Sequence, residues 1–370
     1  MRSWTASWRR LPNLGQPRHD HAVVAREVAG RTVLLAFGGN FGASFGEGRP
    51  QKWDLWRLDW AAPTSWVGPL SIEGSDGVEP RGGFGGAMVG RGGGESDARF
   101  MIATGYGEAS GGHLRACVSL TLGADGAPMA WRDEGEADGV EARSGATLTA
   151  LRDGGAVLCG GYGETSGGAL DAVHYAVAND APSSAGYAWR ELVAGGSGAA
   201  AAPEPRCAHA AAASGDDALL VFGGYGATSG PLSDLWELRV DRARAHFEWA
   251  LVETTGDVPS PRSGHSFVEL EQHAGHFALY GGVGVNGIGC SDVFVLDAAR
   301  RTWQRVADVE GEAPAPRYNH RACAVPRGAS AAEGGRDAST LAVLGGFTCD
   351  TGDAIGRVVG ETFSLELSSA

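Results

Sequence analysis

A short apolar run that closes on a glycine pair recurs six times along the 370 residues, and this recurrence restricts the possible folds more than any other feature. It reads AFGG ending at Gly39, IATG at Gly105, LCGG at Gly161, VFGG at Gly224, LYGG at Gly282 and VLGG at Gly346, with Thr104 standing where the other copies have a first glycine. Residues 261–320 show the whole repeating unit: three apolar runs (Ser266–Leu270, His276–Tyr280, Asp292–Leu296), then Trp303 alone among polar residues. Each run has the length of a strand, and polar or glycine-rich turns separate them. The unit therefore reads as four antiparallel strands, a to d, with the glycine pair at the end of strand b. One such sheet has two bare faces and two free edges and is not stable alone. Its copies must cover it.

The other parts recur in the same order. Pro-Arg opens five copies, as PRHDH at 17, PRGGF at 80, PRCAH at 205, PRSGH at 261 and PRYNH at 316, and Arg143-Ser144-Gly145 after Ala142 is a degenerate sixth. Strand c reads DLWRL (54–58), ACVSL (116–120), DAVHY (171–175), DLWEL (234–238), DVFVL (292–296) and ETFSL (361–365). Strand d carries Trp66, Trp131, Trp189, Trp249 and Trp303, and no tryptophan follows residue 365. The sixth is expected from the other end of the chain, as Trp8 or Trp4, so that the N-terminal strand completes the last sheet and removes an open edge.

This ordered set of PR-x-x-H, apolar-Gly-Gly, D-[LV]-[WF]-x-L and a spaced tryptophan resembles the kelch repeat. The resemblance covers nearly the whole chain. It implies an all-β fold, a six-bladed kelch-type β-propeller with four antiparallel strands per blade. The blades fall at about 17–70, 80–133, 142–193, 205–253, 261–308 and 316–370 plus 4–11, as a single domain over 1–370.

Composition limits the function classes. A formal charge of −14 without any basic block argues against nucleic acid as a partner. No stretch has the length of a membrane span, the first residues lack the apolar core of a secretion signal, and the six cysteines form neither C-x-x-C nor a disulfide pattern. A reducing, cytoplasmic setting is expected, with a nuclear one compatible.

In an up-and-down sheet the d–a and b–c connections emerge on one side. That side carries the six arginines, Arg18, Arg81, Arg143, Arg206, Arg262 and Arg317, whose planar donors suit carboxylates or phosphates when they are not pairing within the scaffold. It also carries three b–c loops of closely similar sequence: GYGEASGGH (105–113), GYGETSGGA (161–169) and GYGATSGPL (224–232). Nothing about a turn requires Tyr106, Tyr162 or Tyr225, and loops on a rigid scaffold are usual binding material. His21, His209, His265 and His320 share one position in four copies, but positions repeated in successive sheets face different sectors, so no metal is expected there.

The expected function is a non-catalytic interaction module that binds a protein or an acidic peptide on the d–a/b–c face, without a cofactor. The alternative is an enzyme or small-ligand binder using the central funnel. Kelch sugar-acid mutarotases and plant specifier proteins supply the analogy for it. Glu237, Asp241 and His246 are one residue too long for the specifier iron motif, and no motif supports the mutarotase reading. Glu108, Glu164, Asp350 and Asp353 are the loop carboxylates such a site could use.

Overall fold

The computed structural model describes residues 3–28, 30–41, 53–74, 77–89, 99–123, 128–178, 186–195, 202–327, 337–348 and 356–369. Among these the regular structure is all β. Six four-stranded antiparallel meanders account for most of it. The chain divides into two compact units, Met1–Ser71 with Glu253–Ala370, and Ile72–Val252.

The first unit holds three sheets. One is Ala22–Val28, Arg31–Phe37, Leu55–Asp59 and Val67–Leu70, which we number sheet 1. Another, sheet 5, is Ser266–Glu269, His276–Tyr280, Val293–Asp297 and Thr302–Arg305. The last, sheet 6, is Arg321–Ala324, Ala338–Leu344, Thr362–Ser369 and Trp4–Leu11. Its outer strand comes from the N-terminus, with Trp8 opposite Leu365. Leu296 faces Trp303 in the same way in sheet 5, so Trp8 rather than Trp4 is the borrowed strand-d tryptophan. Trp8 is buried and lies 4.9 Å from the ring of Tyr280, inside an apolar seam with Val293, Val343 and Phe363 between sheets 5 and 6.

The second unit holds sheets 2, 3 and 4. They are Gly85–Val89, Arg99–Ala103, Ala116–Leu122 and Pro128–Glu136; then Thr147–Ala150, Ala156–Cys159, Val173–Ala178 and Tyr187–Glu191; then Ala210–Ala213, Ala218–Gly226, Gly230–Asp241 and His246–Leu251. Met101, Leu148 and Leu158 fill the seam between sheets 2 and 3, and Val157, Leu219 and Phe247 that between 3 and 4. Alternation along each strand sends one set of side chains to each neighbour, which is why the strands read as nearly continuous apolar runs.

The glycine pair works where one sheet meets the next. The second residue of the pair donates its N–H to the carbonyl of the next sheet's arginine: Gly105 to Arg143 (2.8 Å), Gly161 to Arg206 (2.9 Å), Gly282 to Arg317 (2.8 Å) and Gly346 to Arg18 (2.8 Å). A Cβ on the first residue would lie 2.6 Å from the Arg206 oxygen at Gly160, 2.7 Å from Arg317 at Gly281 and 2.4 Å from Arg18 at Gly345. These backbones approach so closely that a side chain has no room, and φ is +61°, +68° and +66° at the three glycines. Thr104 sits at the same place in sheet 2 with φ +64° and no exposure.

A second seam runs two residues after each arginine. Gly145 N–H bonds Gly83 O at 2.7 Å and Ala208 bonds Gly145 at 2.8 Å; in the other unit Asn319 bonds Gly264 at 2.8 Å and Asp20 bonds Asn319 at 3.0 Å. All six of these residues have positive φ, including the non-glycines Asp20, Ala208 and Asn319. Two of the shared histidines reinforce these contacts. His209 Nε2 lies 2.9 Å from the Thr147 hydroxyl of the preceding sheet, and His320 Nε2 lies 3.0 Å from that of Ser266.

Candidate functional site

Each arginine stands at the foot of its own b–c loop. The short Arg81–Gly82 ladder pairs with Tyr106–Gly107, Arg143–Ser144 with Tyr162–Gly163, and Arg206–Cys207 with Tyr225–Gly226. Arg262–Ser263 and Arg317–Tyr318 pair likewise with Val283–Gly284 and Phe347–Thr348. The d–a and b–c connections are therefore hydrogen-bonded neighbours within each sheet.

The six arginines are almost completely buried, at 0–3% exposure. In four sheets the guanidinium meets the acid that opens strand c, with two bonds in sheets 1, 4 and 5 and one in sheet 6. Arg18 meets Asp54 at 2.9 and 2.8 Å, Arg206 meets Asp234 at 2.8 and 2.8 Å, Arg262 meets Asp292 at 2.6 and 3.2 Å, and Arg317 meets Glu361 at 2.8 Å. The same guanidinium also donates to the carbonyl of the first glycine of the pair, as Arg18 does to Gly38 (3.1 Å) and Arg206 to Gly223 (2.9 Å). Each arginine thereby ties strand a, the glycine turn and strand c together. In sheets 1 and 4 an indole N–H completes the set, from Trp56 to Asp54 (2.7 Å) and from Trp236 to Asp234 (2.6 Å).

Sheets 2 and 3 lack the acid. The register puts Cys117 opposite Ala103 and Val173 opposite Cys159, as Leu235 is opposite Phe222. The residue before each is then Ala116 and Ala172. In sheet 3 this shifts the motif by one from the sequence reading: Asp171 precedes the motif position and is exposed. Arg81 bonds only carbonyls, Glu79 (3.2 Å), Thr104 (3.3 Å) and Ala116 (2.8 Å), and Arg143 bonds those of Glu141 (3.0 Å) and Gly160 (2.9 Å). Burial lowers the proton affinity of both, that of Arg81 to about 10, and the nearby charges of Glu79 and Glu141 offset it only in part.

The three tyrosine loops share an anchor that the sequence reading did not identify. A glutamate two residues before the arginine reaches up into the loop. Glu79 accepts from the Ser110 N–H (2.7 Å), Glu141 from Ser166 (2.7 Å), and Glu204 from Ser229 (3.0 Å), from the Thr228 hydroxyl (2.6 Å) and from the Thr228 N–H. Hydrogen bonds from Thr228 and Ser229 hold the Glu204 carboxyl down at about 2. The glycine after each tyrosine leaves room for this carboxylate: a Cβ on Gly107, Gly163 or Gly226 would come within 2.2–2.8 Å of it. The signal was present, since Glu-x-Arg occurs at 79–81, 141–143 and 204–206 in the three copies that carry Gly-Tyr-Gly.

Pinned in this way, the loops present their aromatic rings. Tyr162 is 43% exposed and Tyr225 52%. Tyr106 is half-buried, 5.5 Å from His113, whose ring lies 5.9 Å from Tyr162. Glu164 is fixed on the His113 N–H at 2.6 Å, and the Tyr162 hydroxyl turns back to Gly167 O at 2.9 Å. Glu108 is half-buried in its loop, while Asp350 and Asp353 lie outside the described residues. Among the described residues no group of three or more His, Cys, Asp or Glu could hold a metal ion, and no helix is long and apolar enough to cross a membrane. Glu237 pairs with Arg239 in sheet 4, and His246 Nδ1 lies 2.6 Å from Arg244 O.

Comparison with known proteins fits this geometry. The chain is 33% identical over 189 residues to the flagellar outer-arm dynein alpha chain of Chlamydomonas reinhardtii, covering 50% of this chain and 4% of that one. It is 34% identical over 183 residues to Adagio protein 3 of Arabidopsis thaliana, covering 49% and 25%. It is 31% identical over 142 residues to an F-box/kelch-repeat protein of the same plant, covering 36% and 29%. The chain thus spans well under half the length of these relatives. A solved structure titled "Structure of YjhT" superposes with a TM-score of 0.59 at 14% identity, over 95% of both chains, and shares the fold. The family model described as the KLHDC2/KLHL20/DRC7 Kelch-repeats domain matches residues 145–351, more than half of the sequence. With the buried arginine, glycine pair and strand-d tryptophan in their recurring places, this chain is an all-β propeller protein that belongs to the kelch-repeat family.

Proposed function

We propose that the chain is a six-bladed, single-domain interaction module that holds a segment of a partner protein on its d–a/b–c loops, centred on Tyr106, Tyr162 and Tyr225. One observation carries this reading: two of these tyrosines stand exposed on loops whose backbones Glu141 and Glu204 already fix. Tyrosine gives a large contact area at small entropic cost, and a loop ordered beforehand loses little more on binding. The four arginines already paired with an acid, Arg18, Arg206, Arg262 and Arg317, support this surface from below. Kelch repeats in an F-box protein and in the Adagio proteins among its relatives agree with a protein partner, and a cytoplasmic setting suits the free thiols of the described cysteines.

A photo-reactive amino acid placed at 162 or 225 tests the proposal, with exposed Arg190 of the same unit as the control position. In cells, positions 162 and 225 should cross-link to the same protein and position 190 should not. Equal labelling of unrelated proteins from all three positions would refute it.

A further inference from the structure

In four sheets the buried arginine meets a carboxylate on strand c, and in sheets 2 and 3 that position is Ala116 or Ala172. We propose that the recess beside Arg143, over Ala172, binds a carboxylate of the partner segment, in the place that the Asp234 carboxylate fills in sheet 4. This inference rests on the interaction reading above and names the chemistry of the group that is bound.

Arg143 is 1% exposed, and its Nε and Nη1 are committed to the Glu141 and Gly160 carbonyls. Its Nη2, the atom that bonds the acid in sheets 1, 4, 5 and 6, has no acceptor among the described residues. A buried guanidinium left without its carboxylate is a costly arrangement, and an external anion would relieve that cost. The place is reachable. The acids that occupy it elsewhere are 22–30% exposed in sheets 4, 5 and 6, against 7% for Asp54 in sheet 1, and the smaller Ala172 is half-buried.

His174 adds a second open group. It stands in the register position of Trp236, whose indole holds the Asp234 carboxylate. The His174 ring is 1% exposed. Its Nε2 lies 3.3 Å from Gly139 O, and its Nδ1 has no partner among the described residues. Burial, then the charge of Arg143, pushes this imidazole down to about 4, so it is neutral and Nδ1 offers a lone pair. An amide N–H beside the bound carboxylate would satisfy it. The recess also adjoins the proposed docking surface, because Arg143 pairs in the ladder with Gly163, next to Tyr162. Sheet 2 repeats the vacancy at Arg81, but there Nη1 already holds two carbonyls and Val118 replaces the histidine, so sheet 3 is the better site.

The test uses three small probes at matched ionic strength: N-acetylglycine for a C-terminal carboxylate, N-acetylaspartate α-amide for a side-chain carboxylate, and N-acetylglycinamide as the neutral control. Either carboxylate near ten times its Kd should raise Tm by about 2 °C, and the neutral probe should not. The larger shift identifies the source of the carboxylate. Ala172→Asp should melt higher than the natural chain without any probe and should no longer respond to either carboxylate. Identical shifts from all three probes, or an A172D variant that still responds, would overturn the inference. If A172D does not fold, crystals of the natural chain soaked in formate decide: formate on Arg143 Nη1 and Nη2 supports the site, and a formate-free guanidinium overturns it. The cross-links at 162 and 225 do not depend on Arg143. Their persistence beside a silent recess rejects this inference alone, and their loss beside a responsive recess rejects the docking surface alone.

Discussion

Replacing Thr104 by glycine should make the protein more stable, although it deletes a fully buried side chain. Thr104 is the only non-glycine at the first position of the glycine pair, and it adopts the same left-handed backbone as the glycines, φ +64° against +59° to +68°. That conformation costs a residue with a Cβ about 1–2 kcal/mol. The threonine hydroxyl is buried without a hydrogen-bond partner among the described residues, a further cost of about 1–3 kcal/mol. The Arg81 bond to the Thr104 carbonyl, at 3.3 Å, is longer than its 2.9–3.1 Å counterparts in the other sheets, as expected if the side chain holds the strands apart. Against these gains, glycine adds about 0.5–1 kcal/mol of freedom to the unfolded chain, and the buried Cβ and methyl, worth about 0.8 kcal/mol each, are lost. The balance is a stabilisation of about 1 kcal/mol, read from urea or thermal unfolding. Thr104→Ala separates the terms, because it removes the hydroxyl and keeps the backbone strain. A T104G variant no more stable than the natural chain would show that the seam between sheets 2 and 3 has relaxed around the side chain.

Two further outcomes follow from the same seams. Asp54→Ala should cost about 3–5 kcal/mol in an unfolding titration, since it leaves the unexposed Arg18 guanidinium without its acid; a loss under about 1 kcal/mol would mean water replaces the carboxylate. Burial holds His21, His209 and His320 below the ordinary imidazole range, with His209 at about 3. The unfolded chain therefore binds more protons, and stability should be complete above about pH 6.5 and fall as pH drops below it, by at most about 1.4 kcal/mol per pH unit for each histidine. His209→Gln should flatten that slope in a Tm-versus-pH series. An unchanged slope would assign the acid sensitivity to other groups.

The sequence was most informative where a residue type answers to geometry in a single way. The glycine pair marked each approach of one backbone to the next, and the absent sixth tryptophan pointed to the N-terminus, where Trp8 faces Leu365. Strand c of sheet 3 was harder to place. Asp171 aligns with the motif acid in sequence, but the register is set by Val173 pairing with Cys159, and no local pattern reveals which of two adjacent residues faces the arginine. A surface role for the arginines could be weighed but not settled from sequence, because burial depends on what covers a side chain. The glutamates at 79, 141 and 204 were visible as part of Glu-x-Arg, yet their link to serines some 25–31 residues away exists only in the folded ladder.

Trp4–Leu11 and Thr362–Ser369 lie side by side in sheet 6, separated by nearly the whole chain. During synthesis the first of these segments waits, its hydrogen-bonding edge and Trp8 uncovered, until the second has left the ribosome. Closing so long a loop adds to the entropy that must be lost before the contacts form, so this pairing is slow compared with the local hairpins. The pairing of Trp4–Leu11 with Thr362–Ser369 is then a late step of assembly, and a nascent chain stalled before it exposes a ready template for pairing with its neighbours.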